Sequence, residues 1–225
     1  MKHTDIPIIT IDGPSGAGKG TISLRLAKHL DWHTLDSGAM YRVLALAANR
    51  YNVPLENESA LANLATHLEI YFKPLPDLSA TQVILDGQNV SQDLRSEVSG
   101  AAASKIAVLP AVRRALLIRQ RDFCQAPGLV AEGRDMGTVV FPEAHKKFFL
   151  TASCEERAHR RYKQLIDSGI NARLSDIIRD ITERDKRDST RAKAPLIAAD
   201  DAHVIDTTGV SIETVVACIL KKVAL

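Results

Sequence analysis

The residues Gly13-Pro14-Ser15-Gly16-Ala17-Gly18-Lys19 follow the pattern G-x-x-x-x-G-K, with Gly20 and Thr21 directly after it. Small residues at this spacing let backbone N–H groups wrap the oxygens of a phosphate chain. A helix opening at Lys19 adds the partial positive charge of its N-terminus. Lys19 is long enough to reach the β- and γ-phosphates as a point charge. The chemistry so indicated is the holding of a nucleotide's phosphate chain. Position 20 departs from the common pattern: Gly stands where a hydroxyl usually helps to hold Mg²⁺, and the hydroxyl comes one place later, at Thr21.

A second set of reactive side chains lies far along the chain. Between Glu155 and Lys193 there are 11 Lys or Arg against 8 Asp or Glu, so this segment is locally basic in a chain whose net charge is only +2. Arg184, Arg187, Asp188 and Arg191 fall at i, i+3, i+4 and i+7, on one side of a helix if that helix continues to Arg191. Arg157, Arg160 and Arg161 cluster on the preceding helix. Guanidinium forks bind phosphate oxygens bidentately, so two such helices make a clamp over a polyphosphate. Between the two sets, "EGRDMGT" (132–138) places Glu132 like a carboxylate that orients water on Mg²⁺, with Arg134 and Asp135 at the carboxyl edge of a sheet. An acceptor that is itself a phosphate monoester is already anionic at pH 7, because its second pKa is about 6. Such an acceptor needs no general base, and the chain has no obvious Ser-His-Asp or Cys-His arrangement.

These residues need an α/β frame. "IPIITI" (6–11) reads as a strand buried on both faces. Ile22, Leu26 and Leu30 give the following helix an apolar stripe. "WHTLD" (32–36) reads as the next strand, then a turn at "SG" and a helix from Ala39. Within 66–92 the pattern changes. "LEIYF", the Pro-rich turn "PLPDLS" and the strands flanking Asp86-Gly87 predict a small antiparallel sheet inserted in the frame. Helices follow through "SEVSGAAASKIAV" and from Pro110, which suits a first-turn position. "GLVAEG" and "KKFFLTA" read as core strands, and Ser153 with Glu156 predicts a capping box opening a helix. A second helix is predicted over 174–188, then a strand "HVIDT" and a closing helix with Lys221 and Lys222 near its negative end.

At 225 residues this is one domain, 1–225, with a modest insertion. The charge of +2 speaks against a nucleic-acid partner. Cys124, Cys154 and Cys218 have neither disulfide nor zinc spacing, and the seven histidines form no metal pattern, so no protein-built metal site is expected. No apolar run reaches membrane-spanning length and the N-terminus lacks a signal-peptide core, which predicts a cytoplasmic protein with no membrane partner. A monomer is expected. A GTPase reading lacks the N-K-x-D motif, and the D-x-x-G at Asp206 to Gly209 follows the last predicted strand, where Asp206 suits a turn.

The G-A-G-K-G-T pattern is similar to that of nucleoside monophosphate kinases. With "LDSGAMYR", "EGRDMGTVVFPEA", "ASCEERAHRR" and "ERDKRDSTRAKAPL" in order, the chain resembles the bacterial cytidylate kinases from the P-loop to the last helix. The resemblance implies a P-loop kinase fold with a parallel central sheet, a monophosphate-binding region over about 38–110 that includes the inserted sheet, and a short helical lid over about 153–193. It implies ATP on Gly13 to Thr21, with Mg²⁺ carried on ATP, and CMP or dCMP as acceptor. The CMP phosphate would be held by Arg42, Arg134 and Arg191. Ser104, Arg113 and Asp135 would read the cytosine, Arg184 and Asp188 would contact the ribose, and Ser37 would lie near the acceptor. Arg157 would belong to the lid that closes on ATP. Lys19, Arg134, Arg191 and Arg157 are therefore the candidate catalytic residues. Spacing alone does not select cytosine, since an Arg and an Asp pair with several bases. Two other readings stand beside this one: a kinase with a hydroxyl acceptor, for which Asp36 is the candidate base, and a nucleotide-binding regulator that transfers nothing.

Overall fold

Ile8–Asp12 forms the first strand, β1, and all five residues are buried. Ile9 and Ile11 point into one apolar cluster and Ile8 into another, as the two-residue period of a strand covered on both faces requires. The computed structural model describes residues 6–75, 81–167, 169–191 and 193–223. After the glycine-rich loop come α1 (Lys19–Leu30), β2 (His33–Asp36), α2 (Ser37–Arg50) and α3 (Glu58–His67). Next are β3 (Ile70–Pro74), β4 (Thr81–Leu85), β5 (Gln88–Asn89), α4 (Glu97–Ile106) and α5 (Pro110–Arg121). The chain then forms β6 (Leu129–Gly133), β7 (Lys146–Thr151), α6 (Cys154–Asp167), α7 (Leu174–Ser189), β8 (His203–Asp206) and α8 (Ile212–Val223).

The central sheet runs β2-β6-β1-β7-β8, and every neighbouring pair is parallel. One face is covered by α1 and α8, through Ile22, Leu26, Val215 and Ile219. The other is covered by α2, α4 and α5 and by the second sheet, through Met40, Leu44, Ile106, Leu116 and Leu85. That second sheet is antiparallel, in the order β3-β4-β5, and lies within the predicted 66–92. Its hairpin turns at Asp86 and Gly87, whose φ angles of 48° and 78° are those of a primed turn. Most of the Pro-rich turn predicted at 74–79 lies outside the described residues. The α6–α7 pair has its own small core of Ala158, Leu165, Ile177 and Ile181. Among the described residues no helix is long and apolar enough to cross a membrane.

Several local expectations need correction. The "SG" after Asp36 is not a turn. The helix starts at Ser37 because Asp36 accepts a hydrogen bond from the Ala39 amide at 2.9 Å and caps it. Helix α3, capped by Asn57, was not anticipated; its short apolar stripe buries only Leu61 and Ala65. The capping box forms by half: Ser153 Oγ accepts from the Glu156 amide at 3.1 Å, but the Glu156 carboxylate turns to Arg160. Helix α7 ends at Ser189, so Arg191 is not on it, and Arg187 faces solvent.

Candidate active site

Parallel strands deliver their carboxyl ends to one edge, and the chemically active residues collect there. Register sets Asp36 and Ile11 beside Glu132, and Asp12 beside Gly133. Above this edge lies a cleft of about 940 Å³ lined by the glycine-rich loop, Asp36, Arg42, Glu132, Arg134, α6, α7 and the turn after β8.

The loop is shaped by backbone that few residues other than glycine tolerate. Gly13 has φ 145°, and a Cβ there would overlap the Leu150 carbonyl of β7. Lys19 is buried, and its Nζ donates to the Pro14 carbonyl at 2.8 Å. Burial, with Arg134 nearby, brings its pKa down to about 7. Gly20 lies close under Glu132: a Cβ at that position would stand 3.0 Å from Glu132 Oε1. Glu132 is itself pushed up to about 8, by burial first and then by Asp36. A lysine and a carboxyl that both resist ionisation at neutral pH describe a pocket awaiting compensating charge.

Across the cleft, two segments converge on Asp188 of α7. Arg134 Nε donates to Asp188 Oδ2 at 2.8 Å, and Arg191 Nε donates to the Asp188 carbonyl at 3.3 Å. Burial opposes ionisation of Asp188, but Arg134 and the neighbouring arginines hold its carboxyl below the ordinary carboxylate range. Arg42, on α2, donates to the Leu94 carbonyl at 3.2 Å. Among the described residues, Arg42 Nε and Arg191 Nη2 are buried without a hydrogen-bond partner. Arg184 lines the cleft opposite Gly100.

A family model for cytidylate kinases matches residues 9–225. The chain belongs to the cytidylate kinase family. The cytidylate kinase of Shewanella amazonensis is 58% identical over 211 residues, covering 94% of this chain and 91% of that one. The cytidylate kinase of Shewanella frigidimarina is 58% identical over 217 residues, covering 96% and 95%. A solved shikimate kinase from Bacteroides thetaiotaomicron aligns over 97% of this chain and 99% of its own, with a TM-score of 0.46 and 13% identity.

Within this cytidylate kinase fold, the sequence-derived residues separate into three groups. Ser15 to Thr21, Arg42, Arg134 and Arg184 line the cleft. Ser37, Ser104, Asp135, Asp188 and the Arg191 side chain are buried and do not line it. Arg113 pairs with Asp135, and the buried Tyr41 hydroxyl feels Arg113, Asp135 and Arg191 together. Burial is the main reason that this hydroxyl is pushed up to about 12.

Arg157 departs from its expected place. It is buried against the glycine-rich loop, with its guanidinium on Asp185, and does not line the cleft. Arg160 is also engaged, by Glu156 at 2.9 Å and by the Thr207 carbonyl at 2.6 Å. Arg161 lines the cleft.

Sequence reasoning missed Asp12 and Thr207. Asp12 accepts the Met136 and Gly137 amides at 2.8 Å each and so fixes the wide turn Met136–Val140 that follows Arg134 and Asp135. Burial pushes Asp12 up to about 6 despite those two bonds. Thr207 Oγ1 bonds the Thr151 carbonyl at 2.9 Å and lies 3.3 Å from the Ala17 carbonyl of the loop. An acid at the end of a buried strand was the available signal for Asp12. Thr207 had none beyond its place after β8. Asp206 is the turn residue expected, accepting from the Thr208 amide at 2.8 Å.

Proposed function

We propose that the chain transfers the γ-phosphoryl group of ATP to CMP or dCMP, giving ADP and CDP or dCDP, as a step of pyrimidine nucleotide metabolism. The observation that carries this reading is the enclosed donors at the acceptor end, Arg42 Nε and Arg191 Nη2. Buried N–H groups are nearly always paired, so a dianionic phosphate with several acceptor oxygens is the partner they suit.

The step follows from charge and position. An anionic oxygen of the acceptor phosphate attacks the γ-phosphorus, the bond from that phosphorus to the β-bridging oxygen breaks, and the electron pair leaves with ADP. Lys19 becomes a full ammonium once the triphosphate is seated, because the anion reverses the desolvation that lowers its pKa. Arg42, Arg134 and Arg191 neutralise the acceptor phosphate and bring the two anions together. In this reading Arg113, Asp135 and Ser104 read the cytosine edge, Arg184 and Asp188 hold the ribose, and Ser37 borders the acceptor. The region 38–110 receives the monophosphate. Residues 153–193 act as a lid that excludes water, a competing acceptor. Arg157 serves the lid from its base rather than from the cleft.

Mg²⁺ enters with ATP. Glu132 fits it: burial and Asp36 keep this carboxyl from ionising, and an adjacent cation favours its anion. Thr21, also on the cleft wall, offers a hydroxyl on the same side. When bound, the ion neutralises charge on the β- and γ-phosphates. We assign the protein to the cytoplasm, as a monomer acting on free nucleotides rather than on nucleic acid or a membrane.

The test is ADP release from Mg-ATP with CMP, dCMP, UMP, AMP, GMP or water, with Lys19→Met as control. Rapid release with CMP and dCMP, lost in the control, is expected. Equal slow release in every tube, water included, would sink the acceptor assignment. A hydroxyl acceptor would need Asp36 as base, yet Asp36 Oδ1 is engaged in capping α2. Asparagine caps as well as aspartate, so turnover persists in Asp36→Asn if capping is its role and vanishes if it is a base.

A further inference from the structure

Arg157 has the contacts of a joint between the two halves of the cleft. Its Nε donates to the Ala152 carbonyl at 3.0 Å, and Nη1 donates to the Ser15 carbonyl of the glycine-rich loop at 3.1 Å. Nη1 and Nη2 also grip Asp185 Oδ1 and Oδ2, at 3.1 and 2.5 Å. The loop rests on the same residue, since a Cβ at Gly16 would come within 2.9 Å of Arg157 Cβ. Asp185 stands on α7 between Arg184 and Asp188. One turn of that helix therefore presents two residues toward the acceptor and one toward Arg157. The two helices α6 and α7 also meet through a small apolar cluster separate from both faces of the sheet and through Cys154 Sγ and Thr182 Oγ1, 3.7 Å apart. Arg160 also reaches the loop, through Thr207 and the Ala17 carbonyl, but that route bypasses α7.

We infer that Arg157 and Asp185 are positioning residues that couple the donor and acceptor sites. Seating of the monophosphate against Arg134, Arg184 and Asp188 sets the position of α7. The bidentate Asp185–Arg157 pair carries that position to Ser15 and hence to the phosphate cradle. ATP and CMP then tighten each other's binding by the same factor, as linkage requires. The inference rests on the kinase reading above. A purely structural role for Arg157 differs in kind: it would weaken ATP binding equally with and without CMP.

The experiment is isothermal titration of the β,γ-imido analogue of ATP, with Mg²⁺, in the absence and presence of saturating CMP, and the reverse titration. It is run on wild type, Arg157→Lys, Asp185→Asn and Asp185→Glu. In the wild type each ligand is expected to raise the affinity of the other by about 5–100-fold. That ratio should fall to about twofold or less in Arg157→Lys and Asp185→Asn, and recover in part in Asp185→Glu, which keeps the carboxylate. Asp185 is partly open to water, so Asp185→Asn supports the test if Arg157→Lys does not fold. A wild-type ratio near one, or a ratio unchanged in the folded variants, overturns the coupling. Turnover measured on the same preparations separates the failures. Wild type that phosphorylates CMP while the variants keep the full ratio defeats the coupling alone. Wild type that does not phosphorylate CMP defeats the kinase reading and the coupling with it.

Discussion

The donor cradle and the acceptor clamp of the proposed function are built in opposite ways. The cradle is one continuous stretch, Gly13 to Thr21, between a fully buried strand and a helix, with its shape set by positive φ at Gly13, Gly16 and Gly18. The clamp is assembled from α2, α5, the segment after β6, α7 and the chain beyond it, and its charges pair with one another: Arg134 with Asp188, Arg113 with Asp135. A cradle of backbone amides accepts any phosphate chain of the right length. A clamp of mutually paired side chains must exchange those pairs for a ligand, so it rejects molecules that cannot replace them. On the proposed function, binding of the donor is thus a local property, and choice of the acceptor a collective one.

The largest test of this contrast is Lys19→Met, expected to lower kcat by at least ~10³-fold while leaving the clamp and CMP binding intact. Near-normal turnover would remove the cradle from the chemistry. On the other side, Arg191→Ala should lower kcat/KM by roughly 10²–10³-fold, with the loss seen chiefly when CMP is varied. An effect confined to the KM for ATP would break the division between the two regions.

Asp12→Ala probes the border between them. It leaves two enclosed amides without an acceptor, each costing about 1–3 kcal/mol. A lower Tm is expected, with KM for CMP rising more than KM for ATP, although residue 12 adjoins the cradle. An equal rise in both would show that the turn after Arg134 is not what Asp12 holds.

Proton exchange sharpens the comparison further. The Lys19 pKa in the free protein, about 7, lies below its ordinary 10.5, so its native state binds fewer protons than the unfolded chain between those values. The contribution of this group to stability therefore rises with pH across that window, and a phosphate chain reverses the shift. Binding of ATP without metal at pH 8 is expected to take up on the order of one proton, seen as a dependence of titration heat on buffer ionisation enthalpy. Mg²⁺ should cut this uptake by drawing the proton from Glu132, and Glu132→Gln should abolish that difference. No uptake in metal-free titrations would refute the buried-lysine account. The smallest effect is Asp36→Ala, expected to lower stability by about 1 kcal/mol in chemical denaturation through loss of the α2 cap.

Much of the frame was legible because its signals are local. A short apolar run, a glycine-rich loop and an apolar stripe at every fourth residue give β1, the cradle and α1. Asp86-Gly87 marks the hairpin of the inserted sheet. The helix over 58–67 escaped notice because it buries little. The clamp was readable only as a set of arginines on a presumed helix, and its membership changed on folding. Arg187 points to solvent, Arg191 reaches the site from beyond the helix end, and Arg157 turns to the loop.

By itself, then, the sequence determined the strands and most of the helices, the glycine-rich loop and the kinase family, since periodicity, backbone freedom and motif order are written along the chain. The tertiary structure alone decided that Glu132 Oε1 packs closely over position 20. It alone decided that Asp12 anchors the turn 124 residues away and that Arg157 joins Ser15 to Asp185. Those choices depend on which side chains meet after the sheet is stacked. Spacing along a chain carries no record of a contact made across it.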